Sequence, residues 1–443
     1  MAILGLEILR AEIGGCSAVC RLARVTEVGR GVLTVGGIGE NWRLGDRVRL
    51  AGGSHAGGEI VALGNGRATI LTDEPADGVR LGDRVENLGT VGVAPDDSWI
   101  GRIIDPFGRP TDGMPLLRGT RERPLRASPP APARRRRLGS RLETGIAIFN
   151  TLLPLVRGQR IGLFAGSGVG KSSLLAKFAR GVEADVTVIA LVGERGRELR
   201  EFVEGVLGPE GMAKCVIVAA TSDQSPLVRR RCAWTAMAVA EHFRDEGRQV
   251  LFLADSITRF AEAHREVALA AGEPASLRGF PPSTSHLIMS LAERAGPGTE
   301  GTGDITAVFS VLVAGSDMDE PVADILRGVL DGHVVMEREI AERGRYPAIN
   351  LLRSVSRSLP HAATEAENAL ISRARRLLGA YDRAEMMIQA GLYAAGSDPQ
   401  VDAAIRVWPA LDAFLSEDAP EGATESFARL RAILDRAGPE RGN

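Results

Sequence analysis

The chain has 443 residues, 44% of them hydrophobic, which is enough apolar material for about two or three folded domains and excludes a disordered protein. Its formal net charge of -2 argues against a general nucleic-acid coat, because such proteins need a basic face that displaces counterions from phosphates. No apolar run approaches the ~18 residues that cross a bilayer, so no membrane span is predicted.

The N-terminal segment MAILGLEILRAEIGG lacks the basic start, long apolar stretch and cleavage site of a secretory signal, so a cytoplasmic protein is expected. The cysteines Cys16, Cys20, Cys215 and Cys232 form no CxxC pair and have no histidine cluster nearby. We therefore expect buried, reduced thiols, and neither a zinc site nor a disulfide framework.

Short β-rich runs separated by Gly, Asp and Asn occupy about residues 20–90 and predict a small antiparallel barrel or sandwich. The pentapeptide LGDRV occurs twice there, at Leu44–Val48 and Leu81–Val85, and is interpreted as two similar turns that lead into strands. The following segment RASPPAPARRRR, residues 126–137, is interpreted as an exposed connection with solvated arginines. Contact of these arginines with an anionic lipid or a partner is the alternative.

From about residue 159 to 350, apolar runs alternate with stretches of helical spacing, and helices are predicted over Lys171–Val182, Pro226–Glu246 and Ile257–Ala271. This alternation predicts a mainly parallel sheet covered on both faces, with ligands bound beyond the carboxyl ends of its strands. The predicted strands are RIGLFA, DVTVIALV, KCVIVAA, QVLFLAD and ITAVFSVLV.

After about residue 361 the chain has helical spacing and no strand signal. The predicted fold class is therefore α/β, with a small N-terminal β-barrel, a central P-loop domain with a mainly parallel sheet, and a C-terminal helical domain. The predicted limits of these domains are residues 1–92, 93–358 and 359–443.

The segment AGSGVGKS follows an apolar strand, precedes a helix and fits the P-loop pattern, with Ala165 where the strictest form has Gly. Backbone N–H groups of such a loop bind phosphate, Lys171 reaches the β- and γ-phosphates, and Ser172 ligates Mg²⁺. A merely glycine-rich turn is the alternative. The predicted nucleotide-binding residues are Ala165, Gly166, Ser167, Gly168, Val169, Gly170, Lys171, Ser172 and Ser173.

Two predicted strands end in an acid at the sheet edge where the phosphates would lie. Asp255 has the position of a residue that holds Mg²⁺ directly or through water, and Glu194 can polarise the attacking water. Either acid alone could cap a helix or pair with an arginine. Together with the P-loop they predict a site that hydrolyses ATP with Mg²⁺.

Several separate segments resemble the catalytic subunits of rotary ATPases, and among them the type III protein-export ATPases most. GSDPQVDAAIRVWPALDAFL is similar to the flagellar branch, and IGRIIDPFGRPTDG fits the shared entry to the nucleotide domain. The resemblance covers nearly the whole chain and is weakest over about the first ninety residues. Its other segments are GLFAGSGVGKSSLL, LVGERGRELREF, LFLADSITRFAEAHREVALAAGEP, GFPPS, DMDEPVADILRGVLDGHVV and YPAINLLRSVSR.

The resemblance implies a RecA-like nucleotide domain and roles that spacing alone does not indicate. Tyr346 matches the aromatic residue that packs on adenine, and Arg357 matches an arginine finger that acts on the nucleotide of a neighbouring subunit. Arg195 joins the predicted catalytic residues. A packed core ring and a surface arginine are the alternatives for Tyr346 and Arg357. Relatives usually carry Asp at the position of Asn350.

The resemblance also implies a homohexameric ATPase of the flagellar export apparatus, with ATP and Mg²⁺ as its substrate and cofactor. Expected partners are a stator or regulator protein, an export gate, a central stalk-like protein, export substrates and their chaperones. The expected location is the cytoplasm, peripherally at the cytoplasmic face of the inner membrane.

Three other functions compete with flagellar export. The ATPase of a virulence injectisome shares the family, and no residue pattern indicates proton coupling. An RNA-translocating hexamer would want an aromatic or basic strand-binding surface, whereas only 4% of the residues are aromatic, so no nucleic-acid partner is expected. A non-catalytic nucleotide-binding subunit would lack the carboxylate of Glu194.

Overall fold

The computed structural model describes residues 21–51, 57–313 and 318–438. Cys16, Cys20 and the segment considered for a secretory signal lie outside these residues. The described chain contains a β-barrel, a large mainly parallel sheet with helices around it, and a group of C-terminal helices. The predicted fold class is confirmed, and the predicted domain limits stay predictions.

The N-terminal part is a closed barrel of antiparallel strands in the order β1-β2-β5-β4-β3-β6. Inward residues alternate with outward ones, and Leu33, Val35, Ile60 and Ile70 are fully buried in its core. The strands are β1 Arg21–Val28, β2 Val32–Gly36, β3 Arg47–Ala51, β4 Gly57–Gly64, β5 Arg67–Thr72 and β6 Arg84–Gly89.

The two LGDRV segments form equivalent turns, as predicted. Gly45 and Gly82 have φ values of 86° and 88°, a left-handed conformation that glycine adopts without steric cost. The carboxylates of Asp46 and Asp83 each accept a hydrogen bond from the backbone N–H three residues earlier, at 3.0 and 2.8 Å. Each turn leads into a barrel strand.

The central sheet has eight strands in the order β14-β13-β8-β12-β11-β9-β10-β7, all parallel except the edge strand β14. The central strands are buried on both faces, which is why they appear in the sequence as continuous apolar runs. The strands are β7 Ile103–Ile104, β8 Arg160–Ala165, β9 Val186–Glu194, β10 Cys215–Thr221, β11 Val250–Asp255, β12 Ile305–Leu312, β13 Gly332–Met336 and β14 Ile349–Ser356.

The three predicted helices end one residue earlier than expected. Ser225 and Ser256 cap two of them by accepting hydrogen bonds from backbone N–H groups. The helices up to β14 are α1 Ala147–Asn150, α2 Lys171–Gly181, α3 Gly196–Arg200, α4 Gly208–Met212, α5 Pro226–Asp245, α6 Ile257–Ala270, α7 Ser283–Arg294, α8 Pro321–Val329 and α9 Arg338–Glu342. A π-helical turn, Glu201–Leu207, joins α3 to α4.

The C-terminal part consists of α10 Glu365–Gln389, α11 Pro399–Phe414 and α12 Ala423–Asp435. Thr364 and Glu367 form a reciprocal capping box at the start of α10. Tyr381 of α10 stacks on Trp408 of α11 with ring centroids 4.0 Å apart. No helix in the described part of the chain is both long and apolar enough to cross a membrane.

The cysteines and the arginine run differ in how well they follow the sequence prediction. Cys215 and Cys232 are buried free thiols, as expected. The interpretation of the arginine run as solvated is wrong for Arg135, which is half-buried and donates to the backbone carbonyl of Glu293. The neighbouring Arg136 pairs with Asp304 at 2.6 Å, so part of this run anchors the connection to the nucleotide domain.

We expect the buried ion pair between Arg294 of α7 and Glu241 of α5 to be essential for stability. Two parallel contacts of 2.6 and 2.9 Å join the side chains, which are 3% and 7% exposed. Arg294→Met leaves the Glu241 carboxylate buried without a cation and should lower the free energy of unfolding by about 3–5 kcal/mol, measured by urea denaturation.

The double variant Arg294→Met, Glu241→Met should recover most of this loss, because no charge then remains buried. As a control, Arg118→Met breaks an ion pair to Glu122 in which both side chains are about half exposed. That change should cost less than about 1 kcal/mol. Equal losses in the single and double variants would contradict the interpretation.

Candidate nucleotide site

The phosphate loop follows β8 and ends where α2 begins. Gly168 and Gly170 have φ values of 80° and 86°, so both lie in the left-handed region that a side chain disfavours. The loop leads into the N-terminus of an 11-residue helix. The unpaired backbone N–H groups at that terminus favour the binding of an anion. Ala165 is the last residue of β8 and is fully buried, so its methyl group lies in the core.

Lys171, which is partly buried, and Asp255, which is buried, form an ion pair beside this loop. The same carboxylate oxygen, Oδ1 of Asp255, accepts a hydrogen bond of 2.8 Å from the Ser310 hydroxyl of β12. Ser310 is fully buried and is not among the predicted site residues. The available signal was a hydroxyl residue within the apolar run ITAVFSVLV.

The register of the strands places Asp255 and Glu194 at the end of the sheet where the phosphate loop lies. β12 lies between β8 and β11, with Leu312 opposite Ala165, and β11 pairs on its other side with β9. Asp255 lies opposite Leu191, and β9 continues for three residues beyond that point to Glu194. The structure therefore places Lys171, Asp255 and Glu194 together, as the sequence analysis expected of the strand ends.

Glu194 has a strongly perturbed carboxyl group. Burial is the main cause and the negative charge of Asp255 the next, and together they raise the pKa of Glu194 from 4.5 to about 7. Lys171 acts in the opposite direction, and a hydrogen bond with Glu198 raises the pKa further. A carboxyl group that titrates near neutral pH is suited to accept a proton from an attacking water.

Arg195 follows Glu194 directly and precedes α3. Its side chain is 77% exposed and forms an ion pair of 3.2 Å with Glu198. The guanidinium thus lies on the solvent side of the site and contacts the same acid that raises the pKa of Glu194.

Tyr346 lies beside the phosphate loop. A Cβ atom added to Gly170 would lie 3.0 Å from Cδ1 of the Tyr346 ring, so the ring contacts the loop directly. Tyr346 is 50% exposed, which leaves part of the ring available to a planar ligand. The left-handed φ of Gly170 and this close ring both exclude larger residues there.

Arg357 lies at the amino ends of the parallel strands, whereas the phosphate loop lies at their carboxyl ends. Its backbone N–H donates to the Asp331 carbonyl at 3.0 Å, and the N–H of Asp331 donates to the carbonyl of Arg160, the first residue of β8. The phosphate loop follows Ala165, the last residue of β8, which is about 17 Å from Arg160 at ~3.3 Å per residue. The structure therefore does not bring Arg357 to the phosphate loop of its own chain.

Among the described residues, no group of three or more His, Cys, Asp or Glu side chains is arranged to hold a metal ion. Mg²⁺ binds with few protein ligands, because it keeps several waters and uses phosphate oxygens. The hydroxyl of Ser172 and the carboxylate of Asp255 are hard oxygen donors that fit this requirement. Ser172 is exposed in the first turn of α2, and Asp255 is 4% exposed.

A phosphate loop with Lys171, Asp255 and Glu194 at the carboxyl ends of a parallel sheet defines a P-loop ATPase domain. Residues 145–356 match the ATP synthase alpha/beta family, nucleotide-binding domain, and residues 363–432 match the T3SS EscN ATPase C-terminal domain. The first match covers the phosphate loop, Glu194, Asp255 and Tyr346, and it ends one residue before Arg357. The enzyme is therefore an ATPase, with ATP as its substrate.

Similar proteins identify the family more closely. The chain is 47% identical to the flagellum-specific ATP synthase of Caulobacter vibrioides over 85% of this chain and 87% of that protein. It is 43% identical to the flagellum-specific ATP synthase of Agrobacterium fabrum over 96% of this chain and 90% of that protein. The chain belongs to the family of flagellum-specific ATP synthases.

A solved structure of a type III secretion ATPase has the same fold. The assembled ATPase EscN from the enteropathogenic E. coli type III secretion system, in complex with its central stalk EscO, has a TM-score of 0.84 and 35% sequence identity. The match covers 93% of this chain and all of that one. The barrel, the nucleotide domain and the C-terminal helices therefore have the same arrangement in both proteins.

We predict that kcat/KM for ATP hydrolysis rises with pH and levels off above an apparent pKa near 7. Below that pH Glu194 carries a proton and cannot accept another, because its folded-state pKa is raised to about 7. Initial rates across pH at low ATP concentration measure this profile. An acidic limb near the ordinary value of 4.5 would contradict the role of Glu194.

Two variants test the cause. Glu198→Gln removes a negative charge that raises the pKa of Glu194, so the acidic limb should move to lower pH. Glu194→Gln should abolish turnover while ATP binding, measured with a fluorescent nucleotide, is retained.

Proposed function

We propose that the chain is the motor ATPase of a flagellar type III export apparatus and acts as a homohexameric ring. Hydrolysis of ATP with Mg²⁺ would drive the delivery and unfolding of export substrates, which reach the ring with their chaperones. Lys171 and the loop residues 165–173 hold the phosphates, and Ser172 and Asp255 hold the Mg²⁺. Glu194 activates water, and Tyr346 packs on the base.

The observation that carries the ring proposal is the position of Arg357. The side chain is exposed at the sheet edge opposite its own phosphate loop, where it donates to the Arg327 carbonyl at 3.2 Å. An arginine that serves catalysis from this edge must serve a second subunit, because its own site is out of reach. Repetition of this contact gives a head-to-tail ring, and a relative's structure is described as assembled.

Protein partners at the C-terminal helices follow from exposed apolar side chains. Met386 and Met387 at the end of α10 and the nearby Leu392 are 83%, 50% and 77% exposed. We assign this surface to a central stalk-like protein, since EscN forms a complex with its central stalk EscO. A stator or regulator protein and the export gate complete the set, with the ring held peripherally at the cytoplasmic face of the inner membrane.

Arg357→Ala should lower kcat by at least about 10³-fold while ATP binding is retained, because only the transition-state charge loses its partner. Steady-state rates and fluorescent nucleotide titration measure the two effects. Arg338→Ala, which removes an exposed arginine paired with Glu342, is the control and should leave the rate unchanged. Wild-type specific activity should rise steeply with protein concentration, and a flat dependence would contradict a shared site.

Deletion of the gene should abolish motility and export of filament protein, and a Glu194→Gln allele should fail to restore them. A strain that keeps its filaments but loses an injected effector would instead assign the chain to a virulence injectisome. Single-stranded RNA should leave the ATPase rate unchanged, because only 4% of the residues are aromatic and the net charge is -2.

A further inference from the structure

The edge strand β14 connects two residues of the proposed mechanism. Tyr346, on the phosphate loop of its own chain, lies three residues before the strand, and Arg357 follows its last residue. The two residues therefore lie beyond opposite ends of one strand. A change in the course of β14 would alter the position of one relative to the other.

The middle of β14 is a large bulge. Its ends pair regularly with β13, through Met336 opposite Ile349 and His333 opposite Val355. Between His333 and Val335 the register shifts, so the single residue Val334 corresponds to residues 351–354 of β14. Bulges bend a strand and redirect its side chains, and they occur often near active sites.

Side chains replace the missing ladder in this bulge. The Ser354 hydroxyl donates to the Asn350 carbonyl at 2.6 Å and accepts from the N–H of Val335 at 3.0 Å. The Asn350 side chain accepts from the N–H of Arg353 at 3.1 Å. The bulge therefore has a defined hydrogen-bonded shape.

Arg375 of α10 holds the bulge from the helical side. Its guanidinium donates to the carbonyls of Leu351 and Ser354 at 3.1 and 3.2 Å, and to the carbonyl of Leu152 before β8 at 3.5 Å. Burial lowers the pKa of Arg375. A planar guanidinium donates at a fixed spacing, so it sets the distance between the two bulge carbonyls in a way that a single ammonium cannot.

We propose that Arg375 is a positioning residue for the arginine finger: by fixing the bulge of β14, it sets where Arg357 is presented to the nucleotide of the neighbouring subunit. This inference rests on the proposed function, because the action of Arg357 across the subunit boundary is itself proposed. Arg375 touches no nucleotide and acts only through the strand.

The first measurement separates binding from turnover. Arg375→Met should lower kcat by at least about tenfold, since a displacement of about 1 Å is costly in catalysis, while nucleotide affinity stays within about twofold. Arg375→Lys should restore part of the rate. Arg406→Met is the matched control, because Arg406 also donates to a carbonyl, that of Ala437, at 2.8 Å within the helical part. It should leave kcat unchanged.

The second measurement uses rings that contain two different variants. If the role of Arg375 were merely structural, mixing would not restore activity. Arg375→Met subunits keep a working phosphate loop, whereas Lys171→Ala subunits keep a correctly held finger. An equal mixture should regain up to about a quarter of wild-type activity, the share of interfaces with both working parts in a head-to-tail ring. A mixture of Arg375→Met with Arg357→Ala should regain none.

The control mixture of Arg357→Ala with Lys171→Ala distinguishes the two proposals. If this control regains activity but the Arg375→Met mixture does not, Arg375 acts within its own subunit and the inference is wrong. If the control regains none, the shared site fails and this inference fails with it. Should Arg375→Met not fold, Ser354→Ala removes two hydrogen bonds of the same bulge and should give the same pattern of rescue.

Discussion

A carboxylate buried at the end of an apolar strand must be compensated by a cation, and at Asp255 this requirement organises the nucleotide site. Lys171 supplies the charge and Ser310 the hydrogen bond. The negative charge of Asp255 adds to burial in raising the pKa of the neighbouring Glu194. A bound triphosphate would attract Lys171 toward its own oxygens, so the place beside Asp255 then favours a divalent cation.

Much of this site could be predicted from the sequence, because its parts lie at the ends of regular elements. Buried parallel strands appear as continuous apolar runs, so the ends that carry Ala165, Glu194 and Asp255 could be located. Ser310 and Arg375 could not, since each acts on residues distant in the chain. The prediction that Arg135 is solvated is wrong for the same reason. Its partner Glu293 is distant in the chain, and composition alone does not show that the two are close in the fold.

Arginine is also the residue that joins the barrel to the nucleotide domain. Glu59 of β4 accepts hydrogen bonds from Arg126 and Arg230 at 2.7 and 3.0 Å, and both guanidiniums lie over the ring of Trp234 at 4.4 and 4.9 Å. One carboxylate and one indole thus hold two planar cations between the domains. An ammonium could not make the stacked contact in the same way.

The placement of the phosphate loop and Arg357 at opposite edges of one sheet has a consequence for incomplete assemblies. In the proposed ring each subunit offers a finger at one end and needs one at the other, so an open chain would always have one more subunit than complete sites. The deficit is one site whatever the length of the chain, and only closure into a ring removes it. A pair of subunits reaches half of the full output per subunit, and the last joint of a ring completes the last site.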